Sequence, residues 1–373
     1  MRALVVVLVV SLTLVQPQAA RAQQAPPSVP TLSAASAVLV DADDGKILWS
    51  KDPHARRSIA STTKVVTALV TLEQTELTDV VTASARAEAV GEDDPLVTEL
   101  ELVEGEQLTV EELLYGLMLP SANDAAVALA EHIGGSEAGF ARLMNAKAAH
   151  LGADDSNFVT PNGFDRPNAY STAADLATIT AAAFENETFT RIVGTRRYEI
   201  SGPSGSRQLI NRNELLASFP GATGVKTGNT RQAGPSLVSS ATRGSESRIA
   251  VVLGSNDVFA ESAELLEYGY TGFRRHTVAG EGQRWAQLTY GDGTTVDLVA
   301  SEELTYLLGP GEAPPAAVYR PSEGVLMVYG PIDRTVPVEV VCAHDDCSGP
   351  DGRTGGAMAR FISLFGSLLA LFR

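Results

Sequence analysis

The sequence predicts a mixed α/β (α+β) body with helices packed on an antiparallel sheet, followed by a small β-rich domain. Three observations carry that expectation. Apolar residues recur at three- and four-residue intervals in segments between Ser61 and Phe184, the spacing of helix faces. Strand-like runs flank that block on both sides, as in a sheet covered by helices. From about residue 277 the chain turns to short β-rich runs, punctuated by Gly280, Gly282, Gly291-Asp292-Gly293, Gly309-Pro310-Gly311 and Pro314-Pro315. At 373 residues there is room for two domains and a large core.

The elements follow in chain order. In residues 1–22, Arg2 precedes the apolar run Ala3–Val10, which continues through Leu12, Leu14 and Val15 to an Ala20-Arg21-Ala22 cleavage pattern. That reads as a secretory signal peptide cut after Ala22. A membrane anchor would need roughly 20 apolar residues. Residues 23–34, Pro- and Ala-rich, read as a flexible lead-in. The main body is placed at 35–276. It opens with Ala37–Asp41 and Lys46–Trp49 around an Asp44-Gly45 turn, a hairpin signal. Helical spacing then runs from Ser61 to about Glu73 through Val65, Val66, Leu69 and Leu72. Thr109 and Glu112 suit a capping box ahead of Leu113, Leu114, Leu117 and Met118. Helices are expected over Ala125–Ile133, ended by Gly134-Gly135, over Phe140–Leu151, closed by Gly152, and over Ser171–Phe184. Strands follow at Ser236–Ala241 and Arg248–Gly254, then a helix at Glu261–Tyr270. The β-rich domain, 277–347, offers runs at Trp285–Tyr290, Thr294–Ala300, Gly324–Tyr329 and Arg334–Val341.

Residues 348–373 read as a linker and an amphipathic C-terminal helix. Phe361, Leu364, Phe365, Leu368, Leu369 and Phe372 fall on one helix face, bracketed by Arg360 and Arg373. Such a helix rises about 18 Å, against about 30 Å of hydrocarbon. In-plane attachment to a membrane surface is the reading taken, with a helix packed on the protein itself as the alternative.

Composition narrows the partners. The formal charge is −17, and loss of Arg2 and Arg21 with residues 1–22 moves it to −19. A balance that acidic argues against nucleic acid. Cys342 and Cys347 are the only cysteines. Export would permit a disulfide between them, and two free thiols remain the alternative. One His between two Cys supplies too few ligands for zinc. No metal and no cofactor are implied.

The chemistry concentrates in three short motifs in order. Ser61-Thr62-Thr63-Lys64 is the only Ser-x-x-Lys in the chain, and Lys226-Thr227-Gly228 the only Lys-Thr-Gly. Ser121-Ala122-Asn123 stands between them. Alone each is weak, and Ser-x-x-Lys is often a solvated helix face. Together they are a serine acyl-transfer signature. A hydroxyl is a poor nucleophile until a base takes its proton, and a lysine serves only when desolvation and a nearby cation leave it neutral. Ser61 is the expected nucleophile, Lys64 its base and Lys226 the second cation. Ser121 can relay the proton to a leaving amine. Asn123 offers a donor and an acceptor to a substrate amide. Lys226 and Thr227 can hold a terminal carboxylate, and Gly228 permits close approach of substrate backbone. The N–H groups of Ser61 and Asn229 are candidate oxyanion donors.

With these residues in view, the chain resembles the D-alanyl-D-alanine carboxypeptidases, the low-molecular-weight penicillin-binding proteins, over about residues 35–275. Leu113–Leu117, Ser121–Ala126, Thr160–Phe164, Tyr170–Leu176 and Gly224–Thr230 carry the resemblance beyond the motifs. It implies a penicillin-binding, β-lactamase-like transpeptidase fold. It also implies release of the terminal D-Ala of peptidoglycan stem peptides through a Ser61 acyl-enzyme, with β-lactams as covalent inhibitors. Two departures stand out. Asn229 occupies a position where the family often has His, and Asn256–Ala260 contains no Arg where the family often carries one for the substrate carboxylate. Three rivals remain. A class A β-lactamase-like hydrolase would need a glutamate for deacylation, and residues 138–184 contain none. A DD-transpeptidase differs only in the acceptor. An inactive cell-wall binding module would not need all of Ser61, Lys64, Ser121 and Lys226.

Overall fold

The computed structural model describes residues 28–91, 97–202, 205–289, 295–314, 316–320, 325–329 and 334–342. Its centre is a five-stranded antiparallel sheet. In spatial order the strands are Ile47–Lys51, Ser36–Asp41, Glu246–Leu253, Ser236–Arg243 and Ala222–Gly228. The first two form the expected hairpin, with Gly45 at φ +71 in its turn. Successive side chains of a strand point to opposite faces, and both faces here are covered. Val38, Val40, Val238 and Val251 join a large core with the helices. Ala37, Leu39, Leu237 and Val252 pack with Leu265 and Leu266 of the helix Val258–Thr271. Burial on both faces explains the unbroken apolar run Ile249–Leu253, which shows no alternation.

On the first face lie Lys64–Gln74, Val110–Met118, Asn123–Gly134, Glu137–His150 and Ala173–Phe184. Their ends follow local chemistry. Thr109 and Glu112 form the full capping box, Gly135 takes φ +66 as C-cap, and Thr172 caps Ala173–Phe184 through Asp175 N. The sequence reading passed over a helix, Glu187–Gly194, capped by Asn186, and a hairpin, Arg197–Gly202 with Gly205–Ile210. It also treated the lead-in as flexible to residue 34, but its end is pinned. Leu32 is buried, Lys51 Nζ donates to Leu32 O at 2.9 Å, and Ala34 N donates to Glu261 at 3.2 Å.

The β-rich part contains a two-stranded sheet, Arg274–Ala279 with Leu304–Leu308. It also contains a five-stranded antiparallel sheet ordered Arg284–Thr289, Thr295–Ala300, Arg334–Cys342, Val325–Tyr329 and Ala316–Arg320. The strand Arg274–Ala279 runs through the boundary expected at 276/277. The signal segment, residue Cys347 and the C-terminal helix lie outside the described residues. No described helix is long and apolar enough to cross a membrane.

Candidate active site

Ser61 sits in a 3₁₀ turn, Ala60–Thr63, and the α-helix begins only at Lys64. An α-helix from Ser61 onward was expected. The tighter turn eclipses residues i and i+3, and Lys64 Nζ lies 2.8 Å from Ser61 Oγ. Ala60 holds φ +49 and Ser121 φ +74. Left-handed backbone at such residues costs roughly 1–3 kcal/mol and persists where its surroundings enforce it. Here it immediately precedes Ser61 and falls on Ser121 itself.

Lys64 is fully buried, and three groups meet its amine. Asn123 Oδ1 is at 2.8 Å, Asn162 O at 2.9 Å and Ser61 Oγ at 2.8 Å. The first two only accept. A neutral amine has two N–H donors and one lone pair, so two carbonyl acceptors leave the lone pair for the Ser61 hydroxyl. The amide of Asn123 is oriented by its own bond, Nδ2 to Thr98 O at 3.0 Å. Thr98 O also accepts Asn123 N at 2.8 Å. Asp124 fixes the neighbouring loop, accepting from Leu100 N and Leu102 N. The carbonyl of Asn162 is placed by a turn in which Thr67 Oγ1 donates to Pro161 O at 2.7 Å. At Gly163, φ +84, a Cβ would meet Ala60 O at 2.0 Å, so only glycine lets that turn close on the Ser61 turn.

Desolvation holds Lys64 well below the ordinary lysine range, and the Lys226 charge pushes it further down. Lys226 is itself buried and drawn down to about 7, by desolvation first and by Arg212 second. No carboxylate forms an ion pair with either amine among the described residues.

Lys226, Thr227 and Gly228 end the strand Ala222–Gly228, an edge of the main sheet. Gly228 faces the Ser61 turn: a Cβ there would stand 3.0 Å from both Ser61 N and Thr62 N. The expected reason for this glycine was room for substrate backbone. The structure gives the space to the backbone of the Ser61 turn instead. By strand period Lys226 shares that face. Exposed Asn229 follows directly. Ser121 is two residues from Asn123, hence within ~8 Å along the chain, and is buried. The structure therefore gathers Ser61, Lys64, Asn123 and Gly228 by contact, Lys226 by its charge on Lys64, and Ser121, Thr227 and Asn229 by adjacency. Sequence reading missed Asn162, whose contribution is a backbone carbonyl with no side-chain signature. It also missed Arg212, the cation felt by both lysines.

The sequence profile described as D-alanyl-D-alanine carboxypeptidase matches residues 21–257. The D-alanyl-D-alanine carboxypeptidase DacF of Bacillus subtilis is 33% identical over 290 residues, covering 75% of this chain and 73% of that one. The D-alanyl-D-alanine carboxypeptidase of Streptomyces sp. strain K15 is 36% identical over 259 residues, covering 65% and 88%. Among solved structures, the Streptomyces K15 DD-transpeptidase superposes with a TM-score of 0.62 at 34% identity, covering 65% of this chain and 99% of that one. Penicillin-binding protein 5 from Haemophilus influenzae gives 0.70 at 29% identity, covering 84% and 99%.

Proposed function

The chain belongs to the D-alanyl-D-alanine carboxypeptidase family and is a serine enzyme of that class, and from that premise we propose how its residues divide the reaction. Ser61 Oγ attacks the carbonyl carbon of the penultimate D-alanine, and its proton passes to neutral Lys64. The oxyanion is met by the N–H groups of Ser61 and Asn229. The C–N bond breaks, and the proton returns through Ser121 to the leaving amine, which departs as free D-alanine. Water then attacks the Ser61 ester, again losing its proton to Lys64, which returns it to Ser61 Oγ as the ester bond breaks and the shortened stem peptide leaves. Lys226 and Thr227 hold the terminal carboxylate, with Arg212 adding positive field. Asn123 and the free edge of Ala222–Gly228 hold the peptide backbone, as an edge strand accepts an added strand.

The observation that carries this reading is the buried Lys64 amine, with two carbonyl acceptors and its third contact on Ser61. A β-lactam acylates the same serine, but its leaving amine stays tethered in the opened ring. Deacylation is then slow, because among the described residues no carboxylate hydrogen-bonds Ser61 or Lys64, and Asp124, whose charge Lys64 feels, is taken up by Leu100 N, Leu102 N and Ala125 N. The test is mass spectrometry of the penicillin adduct together with D-alanine release from a pentapeptide. A single adduct on Ser61, and loss of both activities in Ser61→Ala, is expected. An adduct elsewhere, or nitrocefin turnover of tens per second, a rate of ordinary enzyme catalysis, would overturn it.

The same reading places the enzyme outside the cytoplasm. Residues 1–22 would direct export, and the apolar stripe from Phe361 to Phe372 would hold it reversibly on the outer face of the membrane. Truncation after Gly356 should release active enzyme from liposomes. A truncated protein that still sediments with them would refute the attachment.

A further inference from the structure

An open cleft of ≈ 510 Å³ is lined by Ser58, three residues before Ser61, and its charge runs against that of the chain. Arg56, Arg57, Arg166, Asp165 and Gln232 line it, in a protein of formal charge −17. Arg56 is committed: it pairs with Asp155 at 2.7 Å and lies over the Tyr170 ring. Arg57 and Arg166 have no ion-pair partner among the described residues. Arg57 is half-buried, with an Nε that is buried and unpartnered. Exposed Arg166 donates only to Asp165 O, at 3.0 Å, and lies by the Phe164 ring. Asp165 carries one negative charge. Its Oδ1 accepts from Ser58 Oγ at 2.6 Å and Thr230 Oγ1 at 3.0 Å, and its Oδ2 takes one long bond, from Gln232 N at 3.3 Å. A carboxylate has about four acceptor positions, so Oδ2 retains capacity for a cation. The cleft thus presents two unpaired guanidiniums beside one carboxylate whose bonds all come from neutral donors.

Its position follows from the strand. Lys226 marks the leaving-group end and Gly228 abuts Ser61, so Asn229 to Gln232 lie on the acyl-donor side of the nucleophile. Ser58, three residues before Ser61, forms part of the same wall. A side chain just upstream of the D-Ala-D-Ala pair, within the ~3.3–3.6 Å per residue of an extended peptide, comes out over this cleft.

Resting on the carboxypeptidase reading, we propose that the cleft is a specificity subsite for a zwitterionic side chain on the residue preceding D-Ala-D-Ala. The matching chemistry is the distal amino-acid end of a diaminopimelate-type stem peptide, as opposed to the lone amine of a lysine-type one. Arg57 and Arg166 take its carboxylate, as guanidinium forks suit carboxylates. Asp165 takes its ammonium. A lysine-type side chain satisfies Asp165 but leaves both arginines unpaired.

The experiment measures kcat/KM for D-alanine release from two synthetic peptides, Nα-acetyl-meso-diaminopimelyl-D-Ala-D-Ala and Nα-acetyl-L-lysyl-D-Ala-D-Ala, with the full chain. The first should be preferred at least 10-fold, with the preference shrinking at high salt. Arg166→Ala should collapse the ratio toward one, and Arg166→Glu should invert it. Arg166 is exposed, so both variants are expected to fold. Equal hydrolysis of the two peptides, or a ratio unmoved by Arg166→Glu, overturns the subsite and leaves the carboxypeptidase reading intact. If neither peptide releases D-alanine while Ser61 still takes penicillin, the carboxypeptidase reading falls, and the subsite with it.

Discussion

Lys64 and Arg248 are both fully buried basic residues of the main body, and the protein treats them in opposite ways. Around Lys64 stand two carbonyls and a hydroxyl. Around Arg248 stand Asp41 at 2.7 Å and Glu246 at 3.0 Å, and Arg275 also reaches Asp41, at 3.4 Å. The difference follows from what each group can do. A guanidinium does not deprotonate in proteins, so a buried one must be paired. A buried lysine without a carboxylate partner sheds its proton and becomes a base. Even the paired carboxylate is strained electrostatically, since desolvation outweighs Arg248 and leaves Asp41 above its ordinary range. Burial with a partner makes structure here, and burial without one makes reactivity.

The sharpest way to break this contrast is Lys64→Arg, which puts a cation that cannot deprotonate where a neutral amine is needed. The rate of acylation by penicillin should fall on the order of 10²–10⁴-fold, the size of a lost general base. A variant within tenfold of the parent would mean that Lys64 does not act as a neutral amine. The complementary change is Asp41→Asn. Arg248 then keeps a single carboxylate, Glu246, and unfolding in urea should show a loss of about 3 kcal/mol, near the low end for breaking a buried pair. The remaining folded protein should hydrolyse substrate normally. Asp41→Leu with Arg248→Met should recover most of that stability, because the charge and its partner leave together. A double variant as weak as the single one would show that the pair is needed for more than mutual neutralisation.

The smallest expected effect concerns pH. Lys226 must be charged to hold a carboxylate, so kcat/KM should decline as pH rises through about 7. Arg212→Ala removes a cation that disfavours that charge, and should move the alkaline limb upward. A limb that stays in place would mean that another group titrates. Stability follows the opposite slope. The folded pKa is lowered from 10.5, so between about 7 and 10.5 the unfolded chain holds the extra proton. This group's cost to stability is complete below about 7 and disappears as pH rises across that window.

Most of the site was legible because acyl transfer needs particular side chains at short spacings. Ser61, Lys64, Ser121, Asn123 and Lys226 each carry their chemistry in their own atoms. The capping box at Thr109 and the glycine ends of the helices were legible for the same local reason. The hairpin Arg197–Ile210 was not, because Tyr198 and Ile200 give its first strand only a short alternation and Gly205–Gln208 gives its second strand no apolar residue before Leu209. The Asn162 carbonyl was hidden because any residue has one, and only the fold decides where it points. Arg212 carried no distinguishing neighbour, and its influence is felt through space.

Gly228 has a consequence for how such an enzyme can change under drug pressure. The strand that would grip a β-lactam runs so close to the amide that would activate its carbonyl that a Cβ on Gly228 would stand 3.0 Å from Ser61 N. A mutation that wedges them apart to repel the drug also moves the nucleophile away from its natural peptide. Gly228→Ala should therefore slow penicillin acylation and D-alanine release in proportion, with no separation of the two. Escape at this edge would carry its own handicap, and variation that spares the cell wall reaction has to arise elsewhere on the cleft.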